Sequence, residues 1–457
     1  MNDPHTETIS TEVVERLDSY VADHQLAGLA VGLVRNQRLT WFHGFGAADL
    51  QTGRSIDQDT LFRIASITKT FTTAALLQLR DKGLLSLDDP LQQHIPEFAR
   101  AQPRAGSVHQ VTLRRMLSHH SGLTTEAPLP CWDALEFPAH KALLEAVDQI
   151  EVVIPQDSAF KYSNLAFGLL GEVVARAAGR PYAEYLADEV LRPLGLDSTN
   201  LELSDTQRER LAVGYLPSRF DDCLQPAPTI ELNGLASCGG LVSSVADLAR
   251  WIAFQLSDED RGSEVLSAAT IEESHRPQYL EPDWSLGYCL GWRANRFGNR
   301  VFHGHGGGIF GFASQILFSK PERLGVICLT NLWPHAGLLN LAGSFLSSLL
   351  ADRPADPRRG VSPSPPPADL AALLGTYVAR PGIRVNVEYR QAQLILAPVP
   401  GCDYLLHVPA VLEPTERANQ FTVRGGRGSG ETIHFGPAGD ARSMQFELGG
   451  FVYQRLD

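Results

Sequence analysis

Ser66 and Lys69 stand three residues apart in the stretch IASITKTF (64–71), at the start of a long apolar segment. Lysine is scarce in this chain, with five among 39 basic residues. A serine hydroxyl is a poor nucleophile until a base takes its proton. On a helix, residues i and i+3 share a face, which puts Lys69 within reach of the Ser66 oxygen. To act as a base, Lys69 must be neutral part of the time, a state that burial or neighbouring positive charge favours. A helix N-terminus also favours negative charge developing on Ser66. Alone the motif is weak. Ser158 and Lys161 in SAFK repeat it, and an ordinary N-cap is the plain alternative for Ser66. Context separates the copies, because SAFK lies on a polar stretch before a turn.

Two further stretches could join such a pair. KYSNLAFG (161–168) places Tyr162 and Asn164 just before an apolar helix. The phenol can relay a proton and the amide can hold a carbonyl; an N-capping asparagine beside a core tyrosine is the simpler alternative. FHGHGGGIFGF (302–312) carries four glycines within 304–308, which would let a substrate backbone approach closely. A plain glycine turn remains open there. His303 and His305 form an H-x-H pair, but no acidic residue or third histidine follows at a useful spacing, so no metal is expected. The order G-x-G-x-x-G is missing, which argues against a phosphate loop.

The elements that must position these residues can be read from periodicity. An amphipathic helix is expected over 11–23, then strands over 29–35 and 38–46. From Ser66 the pattern turns helical, with apolar residues at 67, 71, 74, 77 and 79. Further helices are expected over 165–178, 181–192, 245–256 and 336–351, and strands over 287–294, 300–305, 312–319 and 323–331. Strands at both ends with helices between suggest a mixed α/β layer whose sheet is closed by its N- and C-terminal strands. DRPADPRRGVSPSPPP (352–367) reads as a stiff linker. Beyond it, IRVNVEYR (383–390) alternates strictly and short strands follow between Gly- and Pro-rich turns. That pattern implies a small all-β barrel or sandwich.

At 457 residues, two domains are the natural prior. The formal net charge of −13 disfavours nucleic acid and anionic membrane surfaces as partners. No run is long and apolar enough for a membrane span. No secretory signal is visible in MNDPHTETIST, and the six cysteines are scattered without a metal-ligand spacing. Together these features favour reduced thiols and a cytoplasmic location. No G-x-S-x-G occurs, which excludes an α/β-hydrolase.

S-x-x-K on an early helix, Y-x-N about a hundred residues later and H-G-G after a late strand resemble, in that order, the serine β-lactamase and penicillin-binding-protein superfamily. The closer similarity is to the branch of class C β-lactamases, D-alanyl-D-alanine carboxypeptidases, D-aminopeptidases and family VIII carboxylesterases. LFRIASITKTFTTAALLQLRDKGLLSLDDPLQQHIPEF (61–98), LRRMLSHHSGL (113–123) and GGLVSSVADLARW (239–251) agree, and the resemblance spans about residues 10–350. It implies a transpeptidase-like α/β fold with an antiparallel sheet flanked by helices and a helical subdomain. It further implies Ser66 as acylated nucleophile, Lys69 as its base, Tyr162 as general base or proton relay, and Asn164 as a substrate-positioning group. His305, Gly306 and Gly307 match the family's K-T-G or H-x-G strand motif, and the N–H groups of Ser66 and Gly308 would form the oxyanion hole. Histidine at 305 departs from the lysine of penicillin-recognising members and points towards esterases and peptidases. ADLAALLGTYVAR (368–380) looks like the start of the lipocalin-like β-domain of some D-aminopeptidase-like members and of penicillin-binding-protein-type peptide cyclases.

The expected organisation is therefore a catalytic domain over 1–351, a linker over 352–367 and a lipocalin-like β-domain over 368–457 that adds no catalytic group. The expected activity is cofactor-free hydrolysis of an amide or ester in a small peptide-like substrate. Macrocyclisation of a nonribosomal peptide is the first alternative, and a non-catalytic binding protein on this scaffold the second. The sequence leaves the oligomeric state open.

Overall fold

The computed structural model describes residues 9–218, 223–257, 262–298, 300–335, 337–350, 366–380, 382–390, 393–399, 409–437 and 444–456. Most of the proline-rich stretch 352–367 and Cys402 lie outside the described residues. The chain divides into two compact units. One comprises Met1–Leu85, Gly171–Thr229 and Ala236–Ala355; the other comprises Ser86–Leu170, Ile230–Leu235 and Asp356–Asp457.

The first unit is built on an eight-stranded antiparallel sheet. Across it run Arg38–Gly46, Gly28–Arg35, Leu324–Thr330, Phe312–Ser319, Arg300–Ile309, Arg293–Phe297, Leu286–Tyr288 and Tyr279–Leu280. The sheet joins the N-terminal strands to the late ones, with Leu29 opposite Thr330 and Arg35 opposite Leu324. Gly28–Arg35, Phe312–Ser319 and Leu324–Thr330 are buried almost throughout, so both faces must be covered. Helices Thr11–Asp23 and Leu338–Leu349 contribute Leu17, Leu338, Ala342 and Phe345 to one side of the core. Helix Thr68–Asp81 is buried from Thr68 to Leu79. Its Phe71 stacks on Trp251 of helix Val245–Gln255 at 4.1 Å, and the Trp251 indole N–H donates to Thr70 Oγ1 at 3.1 Å.

Two expectations need correction. The strand expected over 287–294 is two strands, because the chain turns at Gly291 in the left-handed region (φ +71) and Cys289 N–H donates to the Trp292 carbonyl. The helix expected over 181–192 is α-helical only over Tyr182–Leu186 and widens to a π-turn over Ala187–Leu191.

In the second unit the C-terminal strands form a nine-stranded antiparallel sheet curled into a nearly closed barrel. The order runs from Thr432–His434 through Gln420–Arg424, Ala410–Pro414, Gln393–Pro398, Ile383–Arg390 and Gly375–Arg380 to Phe451–Arg455, Met444–Leu448 and Gly436–Pro437. Alternate residues point inward. Ile383, Val385 and Val387 are buried, as are Phe446 and Leu448 on strand Met444–Leu448. Near-closure leaves few open edges. Among the described residues no helix is long and apolar enough to cross a membrane.

Burial gives the first unit a pH-dependent stability. It pushes His303 and His335 down to about 4 and His275 well below its ordinary value. Between about pH 6.5 and about pH 4 the unfolded chain binds protons here that the folded chain does not. Stability therefore rises with pH across that window, by about 1.4 kcal/mol per pH unit for each histidine inside it. Urea midpoints should fall steadily from pH 7 to pH 4.5. A flat profile would mean that these imidazoles are protonated in the fold.

Candidate active site

Ser66 lies in a single 3₁₀ turn, Ala65–Ile67, that leads into helix Thr68–Asp81. Phe62–Arg63 pairs with Val242–Ser243 just before it, and Ile64 N–H donates to the Leu241 carbonyl. Ala65 has φ +47, left-handed and unfavourable for a residue with a Cβ. Such a conformation costs on the order of 1–3 kcal/mol and persists where the surroundings enforce it. Ser66 remains partly exposed, whereas Lys69 is fully buried. Lys69 Nζ lies 3.1 Å from Ser66 Oγ and donates to the Cys238 carbonyl at 2.7 Å. The backbone carbonyl thus holds the amine against the hydroxyl, and an amine so placed can take the hydroxyl proton.

The glycine-rich stretch is a strand and not a turn: Arg300–Ile309 runs straight through it. It pairs with Phe312–Ser319 from His303 to Ile309, but with Arg293–Phe297 only from Arg300 to Gly304. Beyond Gly304 that second edge has no strand partner among the described residues, so it can accept an extended substrate as an added strand. Gly307 presses on the turn that carries Ser66. A Cβ there would lie 2.3 Å from the Ile64 carbonyl oxygen and 2.9 Å from Ser66 N. Ser314 Oγ donates to the same Ile64 carbonyl at 2.8 Å. Gly308 pairs with Ala313 on the same strand. His305 is buried, with Nδ1 2.7 Å from the Gly306 carbonyl oxygen. His303 instead stacks on His275 at 4.9 Å, with Nε2 3.0 Å from the His275 carbonyl. Among the described residues no three His, Cys, Asp or Glu side chains converge on a metal site.

Gly307→Ala should therefore displace Ser66 or the strand, since its new methyl would meet Ser314 Oγ at 2.5 Å and two backbone atoms, the Ile64 carbonyl oxygen and Ser66 N, that cannot swing aside. Acylation should drop at least about tenfold, and stability by about 1–3 kcal/mol. Gly306→Ala is the control, because its new methyl would meet Gln315 Oε1, the end of a flexible side chain. Equal acylation rates in the two variants would overturn this account.

Tyr162 and Asn164 lie in the second unit. Ser163 caps helix Asn164–Ala178 by accepting from Ala166 N–H at 2.9 Å, so the cap does not consume the Asn164 amide. That amide donates to Glu126 Oε1 at 2.7 Å, a partner that the sequence did not mark. The Tyr162 ring is buried and stacked on His119 at 4.3 Å, and His119 Nδ1 accepts from Ser163 N–H at 3.2 Å. The Arg427 guanidinium, from the C-terminal barrel, lies over the same ring at 4.3 Å.

The second S-x-x-K proves to be a structural copy. Ser158 is exposed and donates to the Pro155 carbonyl at 2.6 Å. Lys161 is fully buried and turns instead to Glu431 Oε1 at 2.5 Å, Thr125 Oγ1 at 2.8 Å and the Arg427 carbonyl at 2.8 Å. Although burial works against its charge, the Lys161 ammonium and Gly449 N–H hold the Glu431 carboxyl below its ordinary value. Removing one partner of a buried pair strands the other charge. Glu431→Gln or Lys161→Met should cost about 3 kcal/mol in chemical denaturation. Replacing both by apolar residues should restore most of that loss. Single and double variants of equal stability would show that the pair contributes nothing.

The family model described as Beta-lactamase matches residues 13–343. Beta-lactamase-like protein 2 of Dictyostelium discoideum is 28% identical over 346 residues, covering 71% of this chain and 60% of that protein. Protein flp of Staphylococcus aureus (strain MW2) is 26% identical over 312 residues, covering 67% and 60%. The matched part thus spans about 60% of the length of these curated relatives. Among solved structures, the octameric penicillin-binding protein homologue from Pyrococcus abyssi has a TM-score of 0.65 at 21% identity. It covers 97% of this chain and 99% of its own. The class C beta lactamase from Rhodobacter sphaeroides has a TM-score of 0.63 at 22% identity, covering 75% and 100%. At these identities the two structures speak to the fold alone: a β-lactamase and penicillin-binding-protein-like fold, here followed by a lipocalin-like barrel. With its family model matched along most of its length, the chain belongs to the beta-lactamase family.

Proposed function

We propose that this protein is a serine hydrolase or acyltransferase that works through a Ser66 acyl-enzyme, without metal or cofactor, on an amide or ester bond of a small peptide-like substrate. The observation that carries this reading is the 3.1 Å approach of Lys69 Nζ to Ser66 Oγ beside a strand edge that has no strand partner among the described residues. Lys69 takes the Ser66 proton as Oγ bonds to the substrate carbonyl carbon. The N–H groups of Ser66 and Gly308 stabilise the resulting oxyanion. The bond to the amine or alcohol then breaks, and that leaving group takes up a proton. Water attacks the acyl-enzyme in turn, releasing a carboxylic acid and returning the proton to Ser66. Tyr162 and Asn164 take the roles implied by the family's Y-x-N motif: the first passes the proton to the leaving group, the second holds a substrate carbonyl. His305 replaces the family's obligate cation, which supports peptide and ester substrates over carboxylate-bearing β-lactams.

Intact-mass detection of adducts tests this across D-amino-acid amides, short-chain esters and peptidyl thioesters. An adduct on Ser66 that turns over to a linear acid is expected. A ring product from the thioesters would make the protein an acyltransferase that shields its intermediate from water. No adduct with any of these, nor with a fluorophosphonate, would leave a non-catalytic binding protein on the scaffold.

A further inference from the structure

We propose that Arg427 of the C-terminal barrel is a positioning residue for Tyr162: its guanidinium fixes the ring and favours the phenolate over the phenol. This rests on the reading above only in that Tyr162 carries a proton there.

The placement of Arg427 is built by its loop. GGRGSG (425–430) connects strand Gln420–Arg424 to strand Thr432–His434. Gly425, Gly426 and Gly430 have φ of +105, +64 and +82, conformations that residues with a Cβ rarely adopt. Gly430 packs so closely that a Cβ would lie 2.2 Å from Ile154 Cγ2. The Arg427 carbonyl accepts from Lys161 Nζ and from Thr125 Oγ1, at 2.8 and 2.9 Å. Glu431, four residues on, takes the same ammonium. Lys161 is the chain neighbour of Tyr162, so one buried cation fixes the loop backbone beside the ring that the guanidinium covers. Arg427 itself is only 8% exposed.

Burying a guanidinium costs more than a cation–π contact returns. A staple alone would be served as well by an apolar side chain on the ring. A fixed positive charge does what an apolar side chain cannot: it stabilises negative charge on the phenol oxygen and lowers the barrier to proton release. Among the described residues, the groups that face Tyr162 from the elements packed on it include the His119 imidazole and the Arg427 guanidinium. Lys161 points away to Glu431, and Glu126 is engaged by the neighbouring Asn164 amide. Arg427 is thus a cation placed to bias this ring.

The experiment is a ¹³Cζ-tyrosine NMR titration of the full chain, with Tyr162 assigned through Tyr162→Phe. Arg427→Met keeps an apolar group on the ring without the charge. It should raise the Tyr162 midpoint by about one pH unit, and Arg427→Lys should hold it near wild type. Arg427→Gln is the second neutral variant should Arg427→Met not fold. In steady-state kinetics on an ester, the neutral variants should lower kcat about tenfold or more with little change in KM. A folded neutral variant with an unmoved midpoint overturns the proposal. The titration needs no turnover. Failure of the protein to form any acyl-enzyme would sink the functional reading and leave the titration to decide the role of Arg427.

Discussion

Ser66→Ala is expected to abolish covalent capture by a fluorophosphonate and to lower turnover of any ester substrate by about 10⁴-fold or more. Ser158→Ala should leave both within about twofold. The two serines head the same four-residue motif, yet their surroundings diverge completely. Ser66 is partly exposed on a strained turn, with an amine 3.1 Å from its oxygen and a glycine strand against its backbone. Ser158 spends its hydroxyl on the Pro155 carbonyl, and the lysine that follows it is committed to Glu431. Ser66→Ala removes one oxygen from a turn held by backbone hydrogen bonds and should leave thermal unfolding within about 1 kcal/mol of wild type. Intact mass before and after the probe gives the answer directly. Stoichiometric labelling of Ser66→Ala would move the nucleophile elsewhere; loss of labelling in a folded Ser158→Ala would give SAFK a role that its geometry denies.

What the sequence made legible follows the range of its signals. The helix after Ser66 and the strands around residues 28–46 and 312–330 announce themselves by period and by apolar runs, and the S-x-x-K spacing fixes a contact within one helical turn. Glu126 and Arg427 left no such mark. Each meets its partner across long stretches of chain, Arg427 and Tyr162 being separated by most of the sequence. A glycine-rich loop in a β-domain reads only as a turn until the fold shows what it presses against. Lys161 shows the converse: local spacing repeats the S-x-x-K motif there, and a distant carboxylate makes the lysine an anchor. The strand through Gly304–Gly308 was ambiguous because glycine has little β-propensity. Pairing with Phe312–Ser319 decides it, and the absent side chains bring it against the Ser66 turn.

Lys69→Arg is expected to be as damaging as Lys69→Ala, lowering the acylation rate about 10³-fold or more. In the folded chain the lysine amine is fully buried, held between the Ser66 hydroxyl and the Cys238 carbonyl. Accepting the serine proton requires an amine that can exist without its own extra proton. Lysine cycles between the two forms, and arginine remains charged throughout. Arginine keeps the positive charge and the donors, so a role in binding or oxyanion stabilisation alone would be largely rescued. A proton-transfer role would not. The larger guanidinium must also fit among Thr68–Leu79, where every residue is buried, so unfolding curves must first show a folded variant. Lys69→Met, close in volume and uncharged, is the second variant if arginine does not fit. Pre-steady-state acylation by an activated ester then separates the cases. If Lys69→Arg acylates within about tenfold of wild type, the base is not Lys69, and Tyr162 becomes the group that must take the proton. If arginine and methionine variants are equally slow while Ser66 stays intact, proton transfer by the Lys69 amine is the function that both substitutions remove.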